Sequence, residues 1–309
     1  MKDTKINFPI IGFGYGKVDS KGELLNVHFE KIVSRTSDEY DSVASKDISK
    51  NIDKNGYLSV KVVLDQDSPI ASIEEAYLKL YLLSLKMFLP NTLNLDGLFN
   101  FLRTIAWTSD GPYSPDELIN LRNQKKVNIR VHSLDKFPRL TDYIIPKNVR
   151  IADSARVRLG AYLSEGTTVM HEGFVNFNPG TLGPAMVEGR ISSGVIVGAN
   201  SDLGGGSSTM GTLSGGNDIK ISIGENCLLG ANSGLGIPLG NNCIVEAGLY
   251  ITAGTKITLL NDDESKLVKA SEISGIKDML FLRESTTGKV IAKPNKKTSA
   301  LNKELHNND

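Results

Sequence analysis

The chain has 309 residues, with 35 Lys plus Arg against 35 Asp plus Glu, so its formal net charge is zero. That length supports two or three units with real cores, and that balance gives no electrostatic reason to expect nucleic acid or an anionic membrane surface as partner. Residues 1–8 are polar and charged, so no secretory leader is expected. The most apolar helical stretch, 76–89, carries Lys79 and Lys86 and is too short to span a bilayer.

Residues 1–110 read as an α/β domain. Segments 8–33 and 57–64 are expected as strands, being rich in β-branched and apolar residues. Ser72 with Glu75 forms a capping box, which opens a helix running to about Phe88 before Pro90 stops it. A second helix is expected over 95–107. The cluster Gly12-Phe-Gly14-Tyr-Gly16 has no helix behind it and is read as a turn rather than a dinucleotide loop. Residues 111–148 hold Pro112, Pro115, Pro138 and Pro146 and form a connecting segment, with a short helix expected over 115–124.

From residue 149 the pattern changes. Ile151, Val157, Leu163, Val169 and Val175 stand six residues apart. Six fits neither an ordinary helix nor an alternating strand. It fits a chain winding a triangular prism, with one inward apolar side chain per face and about eighteen residues per coil. The count resumes at Ile191, Val197 and Leu203, again at Ile223, Leu229 and Leu235, and after a phase shift at Leu239, Val245, Ile251 and Ile257. A glycine often follows the apolar residue, as at Gly198, Gly204, Gly224, Gly230 and Gly240. Four residues after it sits something small: Ala155, Ala161, Thr167, Cys227, Ser233, Cys243, Thr255. Small residues let the corners of a narrow prism close. This is the hexapeptide repeat of the parallel β-helix, whose left hand follows from resemblance to that repeat class.

The fold class is therefore mainly β: a left-handed β-helix over 149–259, an N-terminal α/β domain, and a short C-terminal β tail over 260–309. Strand-like pieces are expected in the tail at 279–283 and near Val290. Such a tail can cover the open end of a solenoid. Two interruptions of the repeat are expected, at 179–188 and 209–220. The second holds the glycine-rich string 211–216, which lacks the Lys-Ser/Thr of a phosphate loop. Cys227 and Cys243 both fall at the small corner position, so no disulfide framework is expected and the compartment reads as a reducing cytoplasm.

Four strings carry a closer resemblance: His171-Glu-Gly-Phe-Val-Asn-Phe-Asn178, Met186-Val-Glu-Gly-Arg-Ile-Ser192, Leu229-Gly-Ala-Asn-Ser-Gly-Leu-Gly236 and Val245-Glu-Ala-Gly-Leu-Tyr250. They resemble the tetrahydrodipicolinate N-succinyltransferases of bacterial lysine and diaminopimelate synthesis, and within that family the actinobacterial-type branch. The match is strongest over 149–258 and returns at residues 301–306. The resemblance implies succinyl-CoA as donor and 2-amino-6-oxopimelate, from hydrated tetrahydrodipicolinate, as amine acceptor. It implies a homotrimer with active sites in the grooves between neighbouring prisms. The physics agrees, because a prism filled by its own side chains must bind ligands outside it, and a groove is a natural slot for a pantetheine arm.

The resemblance also places roles on residues. Glu188 is the acyl-accepting carboxylate. It either attacks the thioester to form a mixed anhydride or takes a proton from the attacking ammonium. Arg190 contacts the acyl donor, and a guanidinium suits a succinyl carboxylate. Gly205, Ser208, Ala231, Glu246, Ala247 and Gly254 line the substrate and coenzyme groove, where small residues permit close approach. Lys269 and the segment Leu282, Arg283, Glu284 and Ser285 match tail positions near the coenzyme, although Leu282 and Glu284 stand where more polar or basic residues would fit. Glu172 matches a magnesium position on the trimer axis, where three like carboxylates would need a cation or protons. The partner carboxylate expected just before Arg156 is Ala155 here. His171, the one histidine of the repeat region, is the alternative base.

Other readings remain. A different CoA-dependent acyltransferase would share the scaffold but leave the strings unexplained. A zinc hydratase of this fold needs several histidines, and the repeat region holds His171 alone. A non-catalytic β-helix assembly module would bind no CoA.

Overall fold

The computed structural model describes residues 7–48, 51–125, 128–212, 219–261 and 264–295. The string at 301–306, with His306, and most of the glycine-rich string 211–216 lie outside them. Contacts divide the chain into two compact units, Met1–Leu82 with Thr92–Pro138, and Leu83–Asn91 with Arg139–Asp309.

The first unit is built on an antiparallel sheet in which β1 (Ile10–Lys17) lies between β2 (His28–Ser34) and β3 (Tyr57–Leu64). The three glycines predicted as a turn lie inside β1. They are there because the partner strand comes close at a bulge between Phe13 and Gly14, where a Cβ on Gly14 would sit 2.0 Å from the His28 carbonyl oxygen. After α1 (Tyr40–Ala44) comes α2 (Ile73–Ser84), which buries Ala76, Tyr77, Leu78, Leu80, Tyr81 and Leu82. Its start uses the expected pair: the Glu75 amide donates to Ser72 Oγ at 3.2 Å, while the Glu75 carboxylate accepts from the Ala71 amide at 2.8 Å. Lys79 is fully buried on this helix. Its ammonium donates to Asp67, the Ser68 carbonyl and the Asn94 carbonyl at 2.6–2.7 Å, so all three protons are used.

The expected helix over 95–107 shrinks to α3 (Leu98–Phe101). The chain is extended again at Leu102, and the buried Ile105-Ala-Trp-Thr108 forms β4, between β5 (Gly111–Tyr113) and β6 (Val131–Asp135). Buried β-branched and aromatic residues favour this pleated neighbourhood over a helix. α4 (Pro115–Lys125) covers the sheet through Leu118, which packs with Ala106 and Ile129.

The second unit is the prism. Its short strands stack into three parallel sheets, each with one inward column. The first column is Val169, Val187, Leu203, Leu229, Val245 and Phe281. The second runs Val175, Ile191, Thr209, Leu235, Ile251. The third is Leu163, Thr181, Val197, Ile223, Leu239. These side chains form one buried core. Fully burying each aliphatic one contributes roughly 1.5–3 kcal/mol before entropy is counted.

The interruption predicted at 179–188 is not one. The six-residue count runs unbroken to Thr181 and Val187, and the phase shift falls between Val187 and Ile191. Polarity hides Thr181, whose Oγ1 meets that of Thr167 at 2.7 Å and accepts from the Ser164 amide at 3.2 Å. Several corners are turned by asparagines in the left-handed region, including Asn200, Asn226, Asn232 and Asn242 at φ 55–59°. Cys227 and Cys243 are free and buried at the same corner of successive coils, and the neighbouring Cys227 thiol together with burial pushes the Cys243 thiol up.

The segment Leu83–Asn91 lies along the third face. Ser84 Oγ accepts from the Gly160 amide at 2.8 Å, and Asn91 bonds to Asn178 and to the Gly194 carbonyl at 2.9 Å. At the far end, Met279–Arg283 extends the first face as a further rung, and Val290–Pro294 turns back against it antiparallel. Both strands fall where the sequence places them.

Candidate active site

One corner of the prism gathers Glu188, Gly205, Ala231 and Ala247, with Glu172 beside them. The Glu188 amide donates to the Leu203 carbonyl at 2.8 Å, and the Glu188 carbonyl accepts from Gly206 at 3.3 Å. The same bond links the next rungs, Asn232 to Gly205 and Gly248 to Ala231. Glu188, Gly205, Ala231 and Ala247 therefore stack in a single file along this edge. Beyond the carboxylate the file holds only small residues, so the trough is a strip along the prism's edge, clear of large side chains, that runs toward the last coil. A Cβ on Gly205 would lie 3.3 Å from a Glu172 carboxylate oxygen and 3.8 Å from a Glu188 one. Glycine keeps that space free for the two carboxylates and whatever meets them.

The face beyond the corner carries a second file. Phe174, Arg190, Ser208, Gly234 and Tyr250 pair in register across five strands. Arg190 donates from Nε at 3.2 Å and from Nη2 at 2.8 Å to Ser208 Oγ, so two predicted residues meet directly. Among the described residues no carboxylate lies within ion-pairing distance of Arg190. The guanidinium is thus fixed in direction and retains donors for an incoming anion.

At the far end of the trough Glu246 and Arg283 meet as well. The Glu246 carboxylate accepts from the Arg283 amide at 2.7 Å, and the Arg283 guanidinium donates to the Gly288 carbonyl at 3.0 Å. Glu246 thereby ties the terminal hairpin to the prism. Leu282 pairs with Ile291, the Glu284 carboxylate accepts from the Thr287 hydroxyl, and Ser285 is exposed at the hairpin turn. Gly254 is exposed, with open space where a Cβ would point. Lys269 is exposed and stands directly opposite Lys256 in the antiparallel pair formed by Lys256–Asn261 and Glu264–Lys269. Lys256 is a cation that sequence reading missed. Only the pairing of the two strands brings it beside Lys269, and nothing in the repeat signals it.

His171 is exposed next to Glu172. Glu172 turns its carboxylate along the corner toward Gly205. Ala155 offers no oxygen ligand, and among the described residues no cluster of three or more His, Cys, Asp or Glu side chains is placed to hold a metal ion. The donors of one chain do not build a magnesium site. A cleft of about 330 Å³ on the first coil, lined by Arg150, Ile151, Ala152, Thr168, Val169 and Met170, holds none of the predicted residues.

A parallel β-helix wound on a six-residue period is the hexapeptide-repeat fold. Residues 31–100 and 102–139 match family models described as tetrahydrodipicolinate N-succinyltransferase N-terminal and middle, and residues 220–253 match the hexapeptide repeat of succinyl-transferase. The chain belongs to the tetrahydrodipicolinate N-succinyltransferase family. It is 56% identical over 252 residues to the 2,3,4,5-tetrahydropyridine-2,6-dicarboxylate N-succinyltransferase of Pseudomonas aeruginosa, covering 80% of this chain and 73% of that one. The enzyme of the same name from Vibrio cholerae is 52% identical over 255 residues, covering 81% and 74%. A crystal structure from Campylobacter jejuni, described as a 2,3,4,5-tetrahydropyridine-2-carboxylate N-succinyltransferase, superposes with a TM-score of 0.84 at 32% identity, covering 97% of this chain and 96% of that one. No described helix is long and apolar enough to cross a membrane.

Proposed function

We propose that the corner trough is where this succinyltransferase works. The chain transfers a succinyl group from succinyl-CoA to the amine of 2-amino-6-oxopimelate, the hydrated form of tetrahydrodipicolinate, in lysine and diaminopimelate biosynthesis. The observation that carries the placement is the geometry around Glu188. A half-buried carboxylate stands one residue from the glycine that precedes an anchored Arg190, at the head of a file of small residues.

Arg190 and Ser208 hold the free carboxylate of the succinyl group. The coenzyme arm follows Gly205, Ala231 and Ala247 toward Glu246, Arg283 and the paired Lys256 and Lys269, whose charges suit its phosphates. Leu282, Glu284 and Ser285 contribute backbone and shape near that end, and Gly254 leaves room beside it. Glu188 acts on the thioester carbon or on the amine. In the first route its oxygen bonds to the acyl carbon, coenzyme A leaves as the thiolate, and the amine then displaces the carboxylate from the anhydride. In the second it takes the proton that the amine loses as it attacks.

The trough as one chain builds it has a single wall. A homotrimer would close it with a neighbouring prism. Magnesium on the trimer axis would rest on Glu172 alone from each copy, and no step above runs through it. Both substrates belong to cytoplasmic metabolism, which is where this reading places the enzyme. The test is thiol release from succinyl-CoA and from acetyl-CoA in the presence of the amino-oxopimelate acceptor. Acceptor-dependent release with a preference for the succinyl donor is expected. Release that ignores the acceptor, or a preference for acetyl-CoA, overturns it.

A further inference from the structure

The file Phe174, Arg190, Ser208, Gly234 and Tyr250 has an aromatic residue at each end and its only charge on the second rung. Tyr250 does not stay on its own rung. Its ring packs against Gly234, so that a Cβ there would fall 2.0 Å from both Cδ2 and Cε2. The ring therefore covers the rung immediately beyond Ser208, whose hydroxyl anchors Arg190 at 2.8 Å. Tyr250 is 46% exposed, and among the described residues its hydroxyl has no partner. At the other end Phe174 is half-buried, with the Arg158 guanidinium 5.7 Å over its ring. Rungs of a sheet lie about 4.8 Å apart, so Arg190 and Ser208 occupy a strip two rungs deep between two rings.

We propose that the Tyr250 ring sets the length of the dicarboxylic acyl group that this enzyme accepts. The inference rests on Arg190 as the anchor of the acyl carboxylate and Glu188 as the group that meets the acyl carbonyl. Those two residues are separated by Gly189 alone on a rigid scaffold, so both ends of the acyl chain are pinned. An additional methylene must bulge along the file. On one side it meets Phe174, and on the other it meets the ring over Gly234. The ring is a specificity-determining element and not a catalytic one. It acts by filling space, and its hydroxyl plays no part.

The experiment compares kcat/KM for succinyl-CoA and glutaryl-CoA, which differ by one methylene, in the unmodified enzyme, Tyr250→Ala and Tyr250→Phe. Discrimination of one methylene by a shaped site is on the order of tenfold or more. Tyr250→Ala is expected to raise the glutaryl-to-succinyl ratio by about that factor, and Tyr250→Phe to leave the ratio within about twofold. Tyr250→Leu, which keeps an apolar cover on Gly234 but loses the reach of the ring, also raises the ratio and serves if the alanine variant does not fold. Equal change for both donors in the alanine and leucine variants overturns the proposal while leaving succinyl transfer intact. If the unmodified enzyme does not use succinyl-CoA, the reading beneath it falls as well, and the two failures are told apart by that control.

Discussion

Glu188 is held by its backbone, and among the described residues its carboxylate has no hydrogen-bond partner. Both of its peptide groups bond to the next coil, at 2.8 and 3.3 Å, and the carboxylate projects from the corner. Glu188→Gln keeps the volume and both backbone bonds while removing the charge. Turnover is expected to fall by on the order of 10²-fold or more, the lower range for losing a general base, with the melting temperature unmoved. Near-normal turnover would make His171 the first candidate base. Rapid quench that captures a succinylated peptide containing Glu188 would establish the anhydride route. Arg190 permits a sharper test, because its Ser208 anchor fixes it without neutralising it. A hydrogen bond to a charged group is worth roughly 1.5–3 kcal/mol. Arg190→Leu is therefore expected to reduce kcat/KM for succinyl-CoA, relative to acetyl-CoA, by on the order of tenfold or more. An equal loss for both donors would show that the arginine does not read the acyl carboxylate.

At the scale of the element, the prism depends on a polar pair in its own core. Thr181 occupies an inward position and is buried, and its hydroxyl bonds to Thr167 and the Ser164 amide. Thr181→Val has the right shape and the wrong chemistry. It removes the hydroxyl–hydroxyl bond while the Thr167 hydroxyl keeps the Gly183 carbonyl at 3.3 Å and the Ser164 amide keeps the Thr181 carbonyl, at a cost of roughly 0.5–1.5 kcal/mol. Denaturant unfolding is expected to show that loss, and a variant as stable as the parent would mean that the pair contributes nothing. The same residue shows why part of the fold was hidden in the sequence. The period of six is legible wherever the inward residue is aliphatic, as at Leu163, Val169 and Val175. It disappears at Thr181 and Thr209, because a hydrogen bond inside a prism lets a hydroxyl fill an apolar slot. Gly12, Gly14 and Gly16 misled in the opposite sense. Glycine signals a close approach of backbone as readily as a turn, and only the partner strand decides which. Within the site, the short strings around Glu188 and Arg190 were readable because their spacing is local. The contact of Glu246 with Arg283 was not, since it is made by a strand that returns 37 residues later, and the pairing of Lys256 with Lys269 was not, since it depends on the register of a hairpin that leaves the repeat.

For the whole molecule, the question is what closes the trough. Glu188, Gly205, Ala231 and Ala247 lie on an outer edge of the prism, and Glu172 and Arg190 beside them are exposed. Acyl transfer between a thioester and an amine needs water kept from the acyl group while the amine is kept close, and effective positioning is worth several kcal/mol of barrier. A single edge excludes little water. A second prism laid along the same edge would turn the trough into a slot, and a closed ring of three supplies three such slots with every chain alike. Sedimentation at micromolar concentration is therefore expected to give a mass three times that of the 33.5 kDa chain. Dilution through the dissociation range should lower turnover per chain in step with the loss of the assembly, because each slot needs two chains. A monomer that retains full turnover would overturn the shared-slot reading and leave Glu188 and Arg190 to act from one open edge.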